Sequence, residues 1–132
     1  MKTYEKTTLG SVLGKAGEDA ACRFLTDNGH VILDRNCRQG HLEIDIVSLD
    51  RLGVHFVEVK SRREPVAAAP QESVTITKQR RIAEAASRYL RRSRDSRLST
   101  NMEVNFDVIA VTFGASSTKV EWFPNAYFPM FI

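Results

Sequence analysis

One stretch limits what this chain can fold into more than any other. Leu42-Glu43-Ile44-Asp45-Ile46-Val47-Ser48-Leu49 and Val54-His55-Phe56-Val57-Glu58-Val59-Lys60 are two β-prone runs, separated by Asp50-Arg51-Leu52-Gly53. Apolar and β-branched flanks around a turn tetrapeptide read as a β-hairpin. A symmetric turn sets Leu49 opposite Val54, and counting outward sets Asp45 opposite Glu58 and Glu43 opposite Lys60. Side chains alternate along a strand, so Glu43, Asp45, Glu58 and Lys60 share one face, at the end away from the turn. Cross-strand Cβ atoms lie about 5 Å apart. At an effective dielectric of about 20, two carboxylates at that distance repel by roughly 3 kcal/mol. Ile44, Ile46, Val57 and Val59 argue that the strands are buried rather than solvated. Paired acids in an apolar sheet with a lysine beside them call for a cation. A hard divalent ion suits carboxylate oxygens, Mg²⁺ above all, with Mn²⁺ as its substitute.

Asp45 followed by Glu58-Val59-Lys60 resembles the D…(D/E)-x-K signature of restriction-endonuclease-like nucleases. The likeness widens to Gly17-Glu18-Asp19-Ala20-Ala21, Arg35-Asn36-Cys37-Arg38, Phe56 to Arg62, Lys78, Asn105-Phe106-Asp107-Val108 and Asn125-Ala126-Tyr127. In that order these are similar to the YraN family, bacterial predicted nucleases related to Holliday-junction resolvases. The resemblance runs from about residue 10 to about residue 128 and is most specific from Glu43 to Arg62. The chain departs from the family pattern at Leu42 (usually Gly), at Asn105 (usually Arg) and at Ala67-Ala68-Ala69, where Phe-Gly is usual. The resemblance implies that Asp45 and Glu58 hold Mg²⁺ together with the Val59 carbonyl. It also implies that Glu18 acts through a second ion or a water, and that Lys60 positions the nucleophile.

A chain of 132 residues is expected to form one domain, with residues 1–8 as a loose end and 124–132 as an apolar tail. Its 42% hydrophobic and 27% charged residues exclude disorder as the default. Cys22 and Cys37 have no paired spacing and read as reduced thiols. No apolar run reaches the ~18 residues of a membrane span and no apolar signal core precedes the first helix, so the cytoplasm is expected. The net charge is only +3, but Lys78, Arg80, Arg81, Arg88, Arg91, Arg92, Arg94 and Arg97 stand against Glu84 and Asp95 alone. Such a local excess is an electrostatic footprint for a polyanion, or else a solvated helix face.

Apolar spacing predicts a helix from Leu9 or Ser11 to about Asn28, with Leu13, Ala16, Ala20, Ala21, Phe24 and Leu25 as its stripe and Glu18 at the stripe's border. Val31-Ile32-Leu33 is a short strand. Residues 35–40 then lead to the hairpin, with Arg35 and Arg38 equally suited to phosphate and to surface acids. Residues 64–73, rich in Ala and Pro, read as a loop over the site. A second helix over 77–94 buries Ile82, Ala86, Tyr89 and Leu90, which turns Lys78 back towards the sheet. Arg62 shares the parity of Glu58 and Lys60. His41 and His55 read as isolated packing or surface residues. Asp107 reads as a structural carboxylate bonding Arg35 or an N-terminal backbone group. Val104 to Phe113 and Thr118 to Phe123 close the sheet. Tyr127, Phe128, Met130 and Phe131 either fold back on the core or pair two copies.

The order α-β-β-β-α-β-β follows, an α/β fold with a mixed sheet flanked by helices and, by resemblance, a restriction-endonuclease-like core. The crossover from Lys60 through the second helix makes the strands at Lys60 and Val104 parallel. The expected activity is metal-dependent hydrolysis of phosphodiesters in branched or single-stranded DNA, without base reading. Asp45, Glu58, Lys60 and Glu18 would be catalytic. Arg35, Arg38, Arg62, Lys78 and Arg81 would lie along the backbone. The competing readings are a nucleic-acid-binding module of the same fold with little turnover, and a structural partner protein whose acids pair with Lys60 and Arg62.

Overall fold

The structure is a computed structural model describing residues 2–65, 74–99 and 101–128, with side chains from residue 12. Its elements are α1 (Lys2–Asp27), β1 (Val31–Gln39), β2 (Leu42–Asp50), β3 (Gly53–Arg63), α2 (Ile76–Arg92), β4 (Glu103–Phe113) and β5 (Thr118–Phe123). The five strands form one sheet in the order β1-β2-β3-β4-β5. β3 and β4 are parallel and every other pair is antiparallel. This is the expected mixed sheet, with the parallel pair where the α2 crossover requires it.

The hairpin has the counted register: Leu49 faces Val54 and Asp50 faces Gly53. The Asp50 carboxylate accepts from the Leu52 and Gly53 N–H groups, at 3.0 and 3.3 Å, and so builds the turn. Gly53 has φ +152°, and a Cβ there would lie 2.2 Å from the Glu103 carbonyl oxygen, so β4 can approach only a glycine.

Phe56 and Val57, neighbours on β3, belong to different cores. Phe56 packs with Ile82, Ala85, Ala86 and Tyr89 of α2, and Val57 with Ala21 and Leu25 of α1. The helices therefore cover opposite faces. Val108, Ile109, Ala110 and Val111 of β4 are wholly buried, which is why that strand reads as an unbroken apolar run. Burying Phe56 completely contributes about 2–3 kcal/mol by area.

Several elements differ from expectation. α1 begins at Lys2, inside the stretch expected to be loose; no proline interrupts it. β1 continues past Leu33 to Gln39, because as an edge strand it pairs with β2 along its length, with one register shift between Ile32 and Asp34, and turns Asp34, Asn36 and Arg38 outward. On α2, Thr75 caps the first turn by accepting from the Lys78 N–H, and Leu90 is exposed where burial was expected. The tail folds back as far as it is described. The Ala126 N–H donates to the Phe106 carbonyl, and the Tyr127 ring lies 5.7 Å from that of Phe106. Phe128 is exposed. The expected loop over the site lies largely in 66–73, and Met130 and Phe131 in 129–132; both lie outside the described residues. Among the described residues no helix is long and apolar enough to cross a membrane.

Candidate active site

The β2–β3 ladder stops at Ile46↔Val57, one step before Asp45 and Glu58. Ile44 and Ile46, two positions apart, lie in cores on opposite faces, so β2 loses its alternation at Asp45. β1 does the same alongside, around Asn36 with φ +50°. The strands part here, and an acid fills the gap. Asp45 Oδ2 accepts from the Val59 N–H at 2.8 Å, in place of a strand carbonyl. A pocket opens at this split end, lined by Leu13, Gly14, Glu18, Asp45, Glu58, Val59, Lys60, Ser61 and Lys78.

Each helix contributes to it. α1 comes closest to β3 at Gly17, where an added Cβ would lie 1.7 Å from Ser61 Oγ; that approach sets Glu18 at the rim. From the other face, α2 sends Lys78 to Glu58 Oε1 at 2.5 Å, and Lys60 Nζ lies 3.4 Å from the same oxygen. Lys78 points back to the sheet as its helical position requires.

The charges are unevenly shared. Both ammonium groups gather on Glu58, while Asp45 accepts from the Val59 N–H beside the Glu58 carboxyl group and meets Lys78 only at longer range. Burial and the Glu58 charge therefore push the Asp45 carboxyl up to about 7, against the pull of the Val59 N–H. Burial and the neighbouring Lys78 pull the Lys60 ammonium below its ordinary value. For Lys78 burial is the largest effect and acts downward too, but the bonds to Glu58 and Lys60 and the charges of Glu58 and Asp45 together outweigh it and the net shift is upward. With the Val59 carbonyl, the two carboxylates make an all-oxygen donor set of the kind that fits a hard divalent ion. Asp45, Glu58 and Val59 are the residues that could hold one. Glu18 is further off, and its carboxylate lies 3.7 Å from the Arg35 guanidinium.

The other expected residues spread outward. Arg35 is bound to Asp19 at 2.7 Å, and so is tied to α1 rather than to Asp107. Arg38 pairs with Glu43 at 3.7 Å on the exposed edge, so Glu43 faces Arg38 on β1 and not Lys60. Arg62 sits within β3, which runs on to Arg63 and so carries it past Lys60 on the same strand. Arg81 lines a groove with His41, Glu43, Thr77 and Lys78. Of the basic run, Arg88 and Arg97 are neutralised locally by Glu84 and Asp95, at 2.9 and 2.6 Å.

A second polar cluster escaped the sequence reading. His55 is not isolated: its Nε2 lies 2.9 Å from Asp50 Oδ1 and its Nδ1 lies 2.7 Å from Asp107 Oδ2, with His30 alongside. Burial disfavours its charge, yet the bonds to Asp107 and Asp50 prevail and its pKa is raised; that of His30 is lowered by burial and by His55. A signal was present. The register that sets Leu49 opposite Val54 also sets Ser48 opposite His55, two polar side chains at interior positions of an apolar hairpin.

Fold and pocket together define an α/β protein with a mixed five-stranded sheet whose split end carries two acids and two lysines. The chain belongs to the uncharacterised protein family UPF0102, the YraN family, whose model matches residues 17–111. It is similar to a UPF0102 protein of Syntrophotalea carbinolica, 42% identical over 125 residues and covering 95% of each chain. A UPF0102 protein of Bacteroides thetaiotaomicron is 35% identical over 117 residues, 89% of this chain and 93% of the other. One from Clostridium perfringens is 39% identical over 121 residues, 92% of each.

Proposed function

We propose that this protein is a Mg²⁺- or Mn²⁺-dependent nuclease with a restriction-endonuclease-like core, acting on branched or single-stranded DNA. The observation that carries the reading is the Asp45–Glu58 pair, held at the end of a split hairpin with Lys60 and Lys78 against it. Asp45 and Glu58, with Val59, would hold the ion. When bound, such an ion supplies a water of lowered pKa and offsets charge building on the phosphate. Lys60 orients that water and presents positive charge to the transition state, in a site where burial strengthens the effect. Glu18 at the rim holds a water or takes a proton from it. Lys78, Arg81, Arg62, Arg35 and Arg38 would lie along the DNA backbone, and none of this reads bases. The exposed Phe128 is the described part of a surface through which two copies would pair, which light scattering of wild type and Phe128→Ser tests.

A second reading is favoured by one contact. Lys78 occupies Glu58 as a cation would, which suits a nucleic-acid-binding module with little turnover. Cleavage of duplex, single-stranded, flap and junction substrates, with Mg²⁺ and Mn²⁺ varied, separates the two. The nuclease reading expects cleavage that falls to background in Asp45→Ala and in Glu58→Ala. Undiminished cleavage in those variants refutes it, and salt-sensitive binding without cleavage by wild type selects the second reading.

A further inference from the structure

We infer that His30, Asp50 and His55 form a separate binding site for a zinc-class divalent ion at the turn end of the hairpin. One ligand atom from each of these three lies within 4.8 Å of the other two. His30 Nε2 is 3.4 Å from Asp50 Oδ2, and His55 Nε2 is 2.9 Å from Asp50 Oδ1. Bonds of about 2.0–2.1 Å at tetrahedral angles set ligand atoms about 3.4 Å apart, so the three converge on an ion once the histidines close from at most 4.8 Å and one Asp50 oxygen serves both.

The outer contacts point the same way. A ligating imidazole is normally oriented by a partner on its other nitrogen. Here His30 Nδ1 meets Ser48 Oγ at 2.9 Å and His55 Nδ1 meets Asp107 Oδ2 at 2.7 Å, leaving both Nε2 atoms facing Asp50. Asp107 is itself fixed by the Trp122 indole N–H at 3.1 Å and the Asn125 backbone N–H at 2.9 Å. Both histidines are buried, with 4% and 3% of their surface exposed, and the Trp122 ring stands edge-on 5.6 Å from His30.

Two carboxylates and two buried imidazoles converge here, and a dication with two neutral imidazoles and the two carboxylates sums to zero. Mixed nitrogen and oxygen ligands select Zn²⁺ and its neighbours over Mg²⁺, and three protein ligands leave a place for water. The ion would tie the exit of α1, the β2–β3 turn and the start of β3 together. Asp50 is about 17 Å along β2 from Asp45 at ~3.4 Å per residue, so the site is distinct from the pocket at the split end.

The test uses the full chain, stripped with chelator and carrying Asp45→Asn and Glu58→Gln to silence the other pocket. Co²⁺ titration should give one equivalent with the intense visible bands of a tetrahedral site, displaced by Zn²⁺. Zn²⁺ should also raise Tm by several degrees. His30→Gln and Asp50→Asn, checked for folding by circular dichroism, should weaken binding about 100-fold or more. Ser48→Ala, which leaves all three ligands in place, should weaken it about tenfold. Absence of the tetrahedral bands, or equal Co²⁺ affinity in the His30 and Asp50 variants, overturns the assignment.

Discussion

Replacing Asp45 by Asn should make the metal-free protein more stable, and only above a certain pH. The buried carboxyl is shifted from 3.8 to about 7, chiefly by burial and by Glu58. A raised acid pKa means that the folded state holds the proton more tightly than the unfolded chain does. The stability this gives is complete below about pH 4 and is lost as pH rises through about 7. A displacement of about three units at ~1.36 kcal/mol each sets a ceiling of about 4 kcal/mol. Partial wetting of the pocket mouth and relaxation around Glu58 reduce the observable to about 1–3 kcal/mol. Asparagine still accepts from the Val59 N–H, so the variant loses the charge and keeps the contact. Thermal unfolding with chelator present should show Asp45→Asn about 5–10 °C above wild type at pH 8 and level with it only below about pH 4. Added Mg²⁺ should raise wild type and leave the variant unmoved. A variant no more stable than wild type at pH 8, or a gap that ignores pH, refutes the claim that burial and Glu58 outweigh the favourable contacts of Asp45.

Gly17→Ala should destabilise the fold by about 1–3 kcal/mol in urea titration, despite alanine's better helix propensity, because the new methyl meets Ser61. Ser61→Gly in the same chain should recover most of the loss. Lys78→Met removes a cation bound to Glu58 and should tighten Mn²⁺ binding roughly fivefold or more by calorimetry; unchanged affinity would show that Lys78 and the ion do not compete. Arg81→Ala should lower the slope of log affinity for DNA against log salt by about 1, uniformly across sequences, in fluorescence anisotropy.

What could be read from the residues differs by element for physical reasons. The β2–β3 register was legible because a turn with Asp50 and Gly53 at its ends leaves one way to count, and strand parity then assigns faces. β4 was legible because a strand covered on both sides needs apolar residues at every position. The length of β1 was not, since an edge strand is held by backbone pairing and its polar side chains carry no period. Parity also misled where the strands part: Glu43 shares the parity of Asp45, yet β2 turns it to Arg38 at the surface. The His30 partner of His55 comes from the α1–β1 junction, a contact that no local pattern encodes.

The split in the hairpin accounts for the pocket better than the identity of its acids does. Had the ladder continued two more pairs, the Val59 N–H would have the Ile44 carbonyl as its partner, and Asp45 would stand directly opposite Glu58 at about 5 Å with no reason to turn inward. Ending the ladder at Ile46 frees that N–H, and the Asp45 carboxylate takes it. The same N–H that orients Asp45 favours its charged form, so the acid is presented as a ligand although burial opposes ionisation. The other end of the hairpin is built the opposite way. There the ladder is complete to Asp50↔Gly53, and the Asp50 carboxylate, already accepting two turn N–H groups, is fixed beside His30 and His55. One hairpin thus orients two carboxylates by backbone N–H groups, one where pairing fails and one where the turn closes. Stiffening of the turn end by Zn²⁺ should therefore leave the Mn²⁺ affinity of the split end within about twofold, as expected of sites more than 10 Å apart with no shared partner.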